Sequence, residues 1–126
     1  MIKSVVHDML SGDQISVWLG VYRHYGIIVD DLTVIHNSKI AGQVVRETVD
    51  DFAGGRQVTN HGKAGTLPRD QIARNAIDTI GRPYKLFEFN CEHHVSEVSG
   101  RYPCSPQLRI VVFLAAASLL FSHAKA

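Results

Sequence analysis

The sequence predicts an α+β domain built on an antiparallel sheet. Its first half holds short runs of β-branched residues separated by turn residues, and its second half holds two segments with helical character. Strands followed by helices are typical of α+β proteins. At 126 residues the chain has the size of one domain. No repeat, low-complexity stretch or long linker divides it.

The strands are predicted from alternation and from turn residues. Gly12-Asp13 is a turn, and the alternating segment Gln14 to Leu19 is typical of a half-buried strand. The runs Tyr25 to Val29 and Leu32 to His36 flank Asp30-Asp31, which predicts a hairpin turning at the two aspartates. Weaker predictions are strands at Val44 to Val49 and Arg56 to Thr59, followed by a loop at Asn60 to Gly65.

Two helices are predicted in the second half. Apolar residues recur every three to four positions from Pro68 to Ile80, and Gly81 ends that pattern. Asn90 is a good N-cap for a second helix over Cys91 to Ser99, which Gly100 would end.

Composition and charge exclude several classes of protein. A 45% apolar and 20% charged composition is that of a folded globular domain. The net charge of +1 gives no electrostatic argument for a nucleic-acid partner. Cys91 and Cys104 are too few for a disulfide framework, and the first residues lack the apolar core of a secretory signal. We therefore expect a cytoplasmic protein with a free thiol.

Cys91 is the candidate nucleophile. In the first turn of a helix capped by Asn90, it would lie among unpaired N–H groups that lower a thiol pKa and could stabilise an oxyanion. The alternative is an unreactive buried cysteine. Tyr22 is a candidate oxyanion donor, with a packing role as its alternative.

His24 and His36 are the candidate partners of this thiol. They lie at the ends of the two strands of the predicted hairpin, which places them close together at one end of the sheet. One imidazole could accept the thiol proton while the other orients it. The alternative is that both histidines are ordinary polar residues at strand ends without a catalytic role. His93 and His94 are weaker candidates, and no second cluster completes a zinc site, so no metal or other cofactor is expected.

Five segments, in order, resemble the lecithin retinol acyltransferase-like proteins, which include the small phospholipase A/acyltransferases. They are Gly12-Asp13-Gln14-Ile15, Tyr22-Arg23-His24-Tyr25-Gly26-Ile27, Val34-Ile35-His36, Asn90-Cys91-Glu92-His93 and Ser105-Pro106-Gln107. The resemblance covers residues 12–107. It implies a permuted papain-like fold in which the sheet packs on the helix that carries Cys91.

The resemblance also implies acyl transfer. Cys91 would attack a glycerophospholipid ester to form a thioester, His24 would be the general base and then the acid, and His36 would orient His24. Water would complete a phospholipase reaction, whereas a lipid or an amine would complete a transfer. Tyr25 replaces the family's usual tryptophan and His94 its usual phenylalanine. The short body makes retinol an unlikely acceptor.

The C-terminal segment differs in composition from the rest of the chain. Ile110 to Phe121 is an apolar run interrupted only by Ser118, and Arg109 and Lys125 bracket it. We expect a catalytic domain at 1–108 and an apolar segment at 109–126. The segment is too short for an ordinary span, which leaves a membrane-surface helix, a short anchor or a packed helix as alternatives.

Two other functions fit the same residues. One is a cysteine peptidase or amidase of the same superfamily, and the other is a non-enzymatic interaction or membrane-remodelling module on this fold. The resemblance favours the acyltransferase/phospholipase, with a phospholipid acyl donor and a membrane surface as its partners.

Overall fold

The computed structural model describes residues 9–30, 33–86, 89–101 and 105–125, with side chains as far as residue 118. It confirms an α+β architecture with an antiparallel sheet. Asp31 and Leu32 of the predicted hairpin, and Cys104, lie outside these residues. The strands are β1 Asp13–Trp18, β2 Arg23–Ile28, β3 Thr33–Ser38, β4 Gln43–Thr48 and β5 Val58–Lys63.

In the described part of the chain the sheet has five strands in the order β4-β3-β2-β1-β5, and each pair is antiparallel. The predicted hairpin is β2–β3, in which Ile27 pairs with Ile35. Its turn begins at Asp30, whose carbonyl oxygen accepts the N–H of Thr33 at 2.7 Å.

Four helices are described: α1 Val49–Ala53, α2 Arg69–Asp78, α3 Cys91–Val98 and α4 Pro106–Lys125. Helices α2 and α3 occupy the two segments predicted to be helical. Helix α1 replaces the end of the strand expected at Val44 to Val49, because the hydroxyl of Thr48 caps it by accepting the N–H of Asp51. The prediction of a loop at Asn60 to Gly65 is wrong for residues 60–63, because these residues belong to β5, which pairs with β1.

The sheet has an apolar core on each face. One core joins Ile27 and Ile35 to helices α2 and α3, and the other joins Ile28 and Val34 to Phe52 of α1. Neighbouring strand residues point to opposite faces, which is why adjacent isoleucines contribute to different cores.

The backbone ladder between strands β2 and β3 is short. They pair only at Ile27–Ile35 and Ile28–Val34, although β2 stays paired with β1 back to Arg23 and β3 stays paired with β4 out to Ser38. The ladder therefore ends before it reaches His24 and His36, which contact each other through their side chains instead.

Helix α4 contains the apolar C-terminal run. It begins at Pro106, so the predicted boundary at 108/109 falls in its first turn. Side chains 109–118 are exposed, including Phe113 at 70%. Within the ranges that the structure describes, no helix has the length and hydropathy needed to cross a membrane.

Candidate active site

His24 and His36 bond to each other. His24 Nε2 lies 2.8 Å from His36 Nδ1, and the two rings meet edge to face. Phe52 contacts both rings, stacking on His24 and meeting His36 at its edge. A side chain at Gly26 would clash with this arrangement, because a Cβ there would lie 2.5 Å from Val34 and 3.2 Å from the Cβ of His36.

The other nitrogen of His36 faces a carboxylate that the sequence did not single out. His36 Nε2 lies 3.3 Å from Glu47 Oε2, within ion-pair distance although not aligned as a hydrogen bond. Glu47 is on β4, and the pairing of β3 with β4 brings it beside His36. Burial and the nearby Asp51 raise the pKa of Glu47.

Cys91 is the first residue of α3, as predicted. Asn90 caps the helix, because its Oδ1 accepts the N–H groups of Glu92 and His93 at 3.0 and 3.1 Å. His93 Nδ1 accepts the N–H of Asn90 in return, which completes a capping box. The cap therefore occupies two of the backbone N–H groups that we expected to be available as oxyanion donors.

The expectation of a lowered thiol pKa is wrong. Cys91 is only 4% exposed, and burial raises its pKa to about 11. The carboxylate of Glu92 adds to that rise, whereas hydrogen bonds from backbone N–H groups, that of Tyr25 first among them, oppose it. Desolvation therefore outweighs the helix N-terminus, and the thiol is protonated at neutral pH.

The two histidines are shifted in the opposite direction. Burial and the neighbouring His36 lower the pKa of His24 to about 3, and burial lowers that of His36 to about 4. Both imidazoles are therefore neutral at pH 7, and His24 is able to accept a proton.

The start of α3 meets β2 and β3 next to the two histidines. On the β2 side, a hydrogen bond from the backbone N–H of Tyr25 lowers the pKa of the Cys91 thiol. On the β3 side, Asn37 Nδ2 donates to the carbonyl of Phe89 at 2.8 Å. Tyr25 follows His24 and Asn37 follows His36, so the start of α3 lies beside the strand segments that carry both histidines.

Three tyrosines interact electrostatically with the thiol: Tyr22, Tyr25 and Tyr84. Burial, together with the charges of Cys91 and Tyr22, raises the pKa of Tyr84 to about 12. Burial and Cys91 also raise the pKa of Tyr22. The sequence singled out Tyr22 but missed Tyr84, which follows α2 in a segment with no recognisable motif.

His93 and His94 serve the fold. His94 is fully buried, its Nε2 lies 2.8 Å from the hydroxyl of Thr79, and its ring meets Phe89 edge to face. His93 belongs to the capping box. In the part of the chain with described side chains, no three His, Cys, Asp or Glu residues are grouped as metal ligands.

The sequence is similar to those of known proteins. The sequence model of the family described as lecithin retinol acyltransferase matches residues 7–102. Phospholipase A and acyltransferase 3 of Pongo abelii is 33% identical over 140 residues, which cover 93% of this chain and 86% of that protein. The Homo sapiens protein of that name is 32% identical over 137 residues, covering 90% and 85%. Lecithin retinol acyltransferase of Rattus norvegicus is 29% identical over 136 residues, covering 81% and 59%. The chain therefore belongs to the lecithin retinol acyltransferase family.

Proposed function

We propose that this protein is a thiol-dependent acyltransferase and phospholipase A that acts on glycerophospholipid esters through a thioester on Cys91. The relatives named phospholipase A and acyltransferase support this class of reaction. The observation that carries the proposal is the bonded His24–His36 pair on the two strands that meet the start of α3, where Cys91 lies. The order His, His, Cys along the chain supports a permuted papain-like fold.

The pKa values require proton transfer during the attack. At pH 7 both the thiol and His24 are neutral, so the sulfur becomes a nucleophile as its proton moves to His24. The S–C bond to the ester carbonyl forms in the same step. His24 then returns the proton to the leaving lysophospholipid oxygen as the C–O bond breaks, which leaves a thioester on Cys91.

Glu47 and His36 define which nitrogen of His24 is free. A carboxylate at Glu47 favours a proton on His36 Nε2, so His36 Nδ1 accepts a hydrogen bond from His24 Nε2–H. Nδ1 of His24 is then the unprotonated nitrogen and the one available to the thiol. Glu47 is thus a positioning residue that acts through His36.

Tyr22 is the candidate oxyanion donor. The helix cap engages the N–H groups of Glu92 and His93, whereas the hydroxyl of Tyr22 lies close enough to Cys91 for the thiolate charge to raise its pKa. A hydroxyl donor beside the reacting carbonyl would stabilise the tetrahedral intermediate. Tyr84 is a second hydroxyl in the same region.

The second step transfers the acyl group. Water would release a fatty acid, and an amine or a lipid hydroxyl would accept the acyl chain as an amide or an ester. In each case His24 accepts the proton of the attacking group, and the sulfur leaves as the restored thiol.

The exposed apolar side chains of α4 support a location at a membrane surface. Ile110 to Leu114 are between 50% and 70% exposed. They would bind acyl chains, while Arg109 would lie among head groups. We therefore assign 1–108 to catalysis and 109–126 to membrane association. The free thiol of Cys91 supports a reducing, cytoplasmic setting.

The test is capture of the acyl-enzyme. Incubation with phosphatidylcholine carrying a labelled acyl chain should leave a label on the protein that neutral hydroxylamine removes. Cys91→Ala should abolish the label, and Cys104→Ala, which changes the other cysteine, should keep it. A label that survives Cys91→Ala would overturn the assignment of the nucleophile, and an unlabelled wild-type protein would overturn the proposed reaction.

A further inference from the structure

Gln107, in the first turn of α4, bonds to the backbone next to His24. Its side-chain Oε1 accepts the N–H of Arg23 at 2.9 Å, and its Nε2 donates to the carbonyl of Arg23 at 3.0 Å. Both backbone groups of the residue before His24 are therefore held by one planar amide. An amide is suited to this pairing because it presents a donor and an acceptor at fixed spacing.

The same turn of the chain also bonds to the residue after Cys91. Glu92 Oε1 accepts the hydroxyl of Ser105 at 2.6 Å and the backbone N–H of Gln107 at 3.1 Å. Glu92 and Ser105 are both buried, so these bonds form where water competes least. Gln107 thus bonds with its side chain to β2 and with its backbone to α3.

We infer that Gln107 is a positioning residue that fixes the separation and orientation of His24 and Cys91. This inference rests on the proposed function, in which His24 accepts the proton of Cys91. Strands β2 and β3 do not pair at this end of the sheet, so their own ladder does not hold β2 there from the β3 side. The two bonds from Gln107 to Arg23, together with its bond to Glu92, hold this end of β2 in position relative to α3.

The physical consequence is a coupling between α4 and the active site. A tilt of the first turn of α4 would move Arg23 through the amide and Glu92 through its carboxylate. A proton transfer tolerates little displacement, and a misplacement of about 1 Å costs about a hundredfold in rate. Loss of the amide should therefore slow acylation more than it weakens substrate binding.

Two variants test the inference. Gln107→Glu keeps the shape but replaces the donor to the Arg23 carbonyl by a second acceptor, and Gln107→Met keeps the length without charge or hydrogen bonds. We expect roughly a ten- to hundredfold lower kcat for acyl-enzyme formation in both, with KM changed less than threefold. The matched control is Gln71→Glu on α2, where the side chain bonds to Asn75 and Arg74, and it should keep the wild-type kcat. Melting temperatures identify any variant that fails to fold.

The pH profile separates positioning from a general structural role. A protonated glutamic acid donates and accepts hydrogen bonds as glutamine does. The difference in kcat between Gln107→Glu and the wild type should therefore become smaller as pH falls from 8 to 5.5. The deficit of Gln107→Met should stay constant. Wild-type kcat in folded Gln107→Glu and Gln107→Met, or equal pH profiles for the two, would overturn the inference.

A lipid-free measurement separates this inference from the proposed function. The rate of Cys91 alkylation by iodoacetamide reports on the surroundings of the thiol without any substrate. If the wild type forms no acyl-enzyme but both variants change this rate, the proposed reaction fails while Gln107 still positions the thiol. If the wild type acylates and both variants match it in acylation and alkylation, the positioning role fails and the proposed reaction stands.

Discussion

Acid should destabilise this protein through three histidines, of which His36 and His94 are buried and His24 is half-buried. The pKa values of His24 and His94 lie at about 3 and that of His36 at about 4, each lowered first by burial. In the unfolded chain each returns to about 6.5. Below that pH the unfolded state binds more protons than the folded state, so the free energy of unfolding falls as pH falls.

The magnitude follows from the number of protons. From pH 7 to pH 5, a group that titrates near 6.5 when unfolded and near 3 to 4 when folded costs about 2 kcal/mol of stability. His24, His36 and His94 together therefore cost about 6 kcal/mol, which is comparable to the whole stability of many small domains. Asp13, whose pKa is lowered with Arg69 as its partner, adds its own loss only below about pH 4.

His94 isolates one third of this effect. Thr79 donates its hydroxyl to the Ala76 carbonyl at 2.6 Å, so it accepts from His94 Nε2–H, and His94 Nδ1 is left buried without a partner. A proton on Nδ1 would have nothing to bond to. His94→Phe should therefore lower the loss between pH 7 and pH 5 by about 2 kcal/mol, whatever it does to stability at pH 7.

The measurement is urea unfolding followed by far-ultraviolet circular dichroism at pH 7, 6 and 5 for the wild type and His94→Phe. Comparing slopes against pH removes the packing change that phenylalanine introduces. The argument would be refuted by a wild type that loses less than about 2 kcal/mol over this range, or by a variant with the wild-type slope.

Three further results are expected at the site. Glu47→Gln lets an amide N–H donate to His36 Nε2, which reverses the tautomers of His36 and His24. We expect a kcat roughly a hundredfold lower in steady-state assays, and an unchanged kcat would remove Glu47 from the proposed mechanism. Gly26→Ala should cost about 1–3 kcal/mol in urea unfolding, because the new Cβ would meet Val34 at 2.5 Å, and wild-type stability would contradict the packing. Alkylation of Cys91 by iodoacetamide should rise about tenfold per pH unit from pH 7 to pH 10, and a plateau below pH 9 would mean that burial does not control the thiol.

The strands and the two longer helices could be predicted because their signals are local. Alternation and β-branched runs indicated β1 to β4, and helical spacing indicated α2. Helix α1 was missed because its five residues continue a β-rich run, although Thr48 three residues before Asp51 is a capping signal. Strand β5 extends beyond its predicted end because pairing with β1 continues there, through a stretch in which Gly62 has a φ of 78°.

The candidate site divides in the same way. His24, His36, Asn90 and Cys91 lie in recognisable local segments. The structure confirms that the two histidines meet and that Cys91 begins a helix capped by Asn90. Glu47 and Tyr84 join the site only through contacts between distant segments, which spacing along the chain does not reveal. Gln107 lies in one of the segments that resemble the family, but its bonds to Arg23 are visible only in the structure. The direction of the thiol pKa shift was missed for a related reason. Position in a helix can be read locally, whereas burial depends on everything that packs around the sulfur.

The opposite shifts of the thiol and the base have one chemical consequence. A preformed thiolate–imidazolium pair would react with any electrophile that reached it, whereas a neutral pair reacts only when attack and proton transfer occur together. The raised pKa of Cys91 and the lowered pKa of His24 both oppose the charged pair. In the proposed reaction, a carbonyl held beside the sulfur would change this balance, because charge would then develop on the ester oxygen, which the hydroxyl of Tyr22 is proposed to stabilise. The same burial that makes the resting thiol unreactive would therefore make its reactivity depend on a bound ester, and the proposed positioning by Gln107 would set how well that ester meets the thiol and His24.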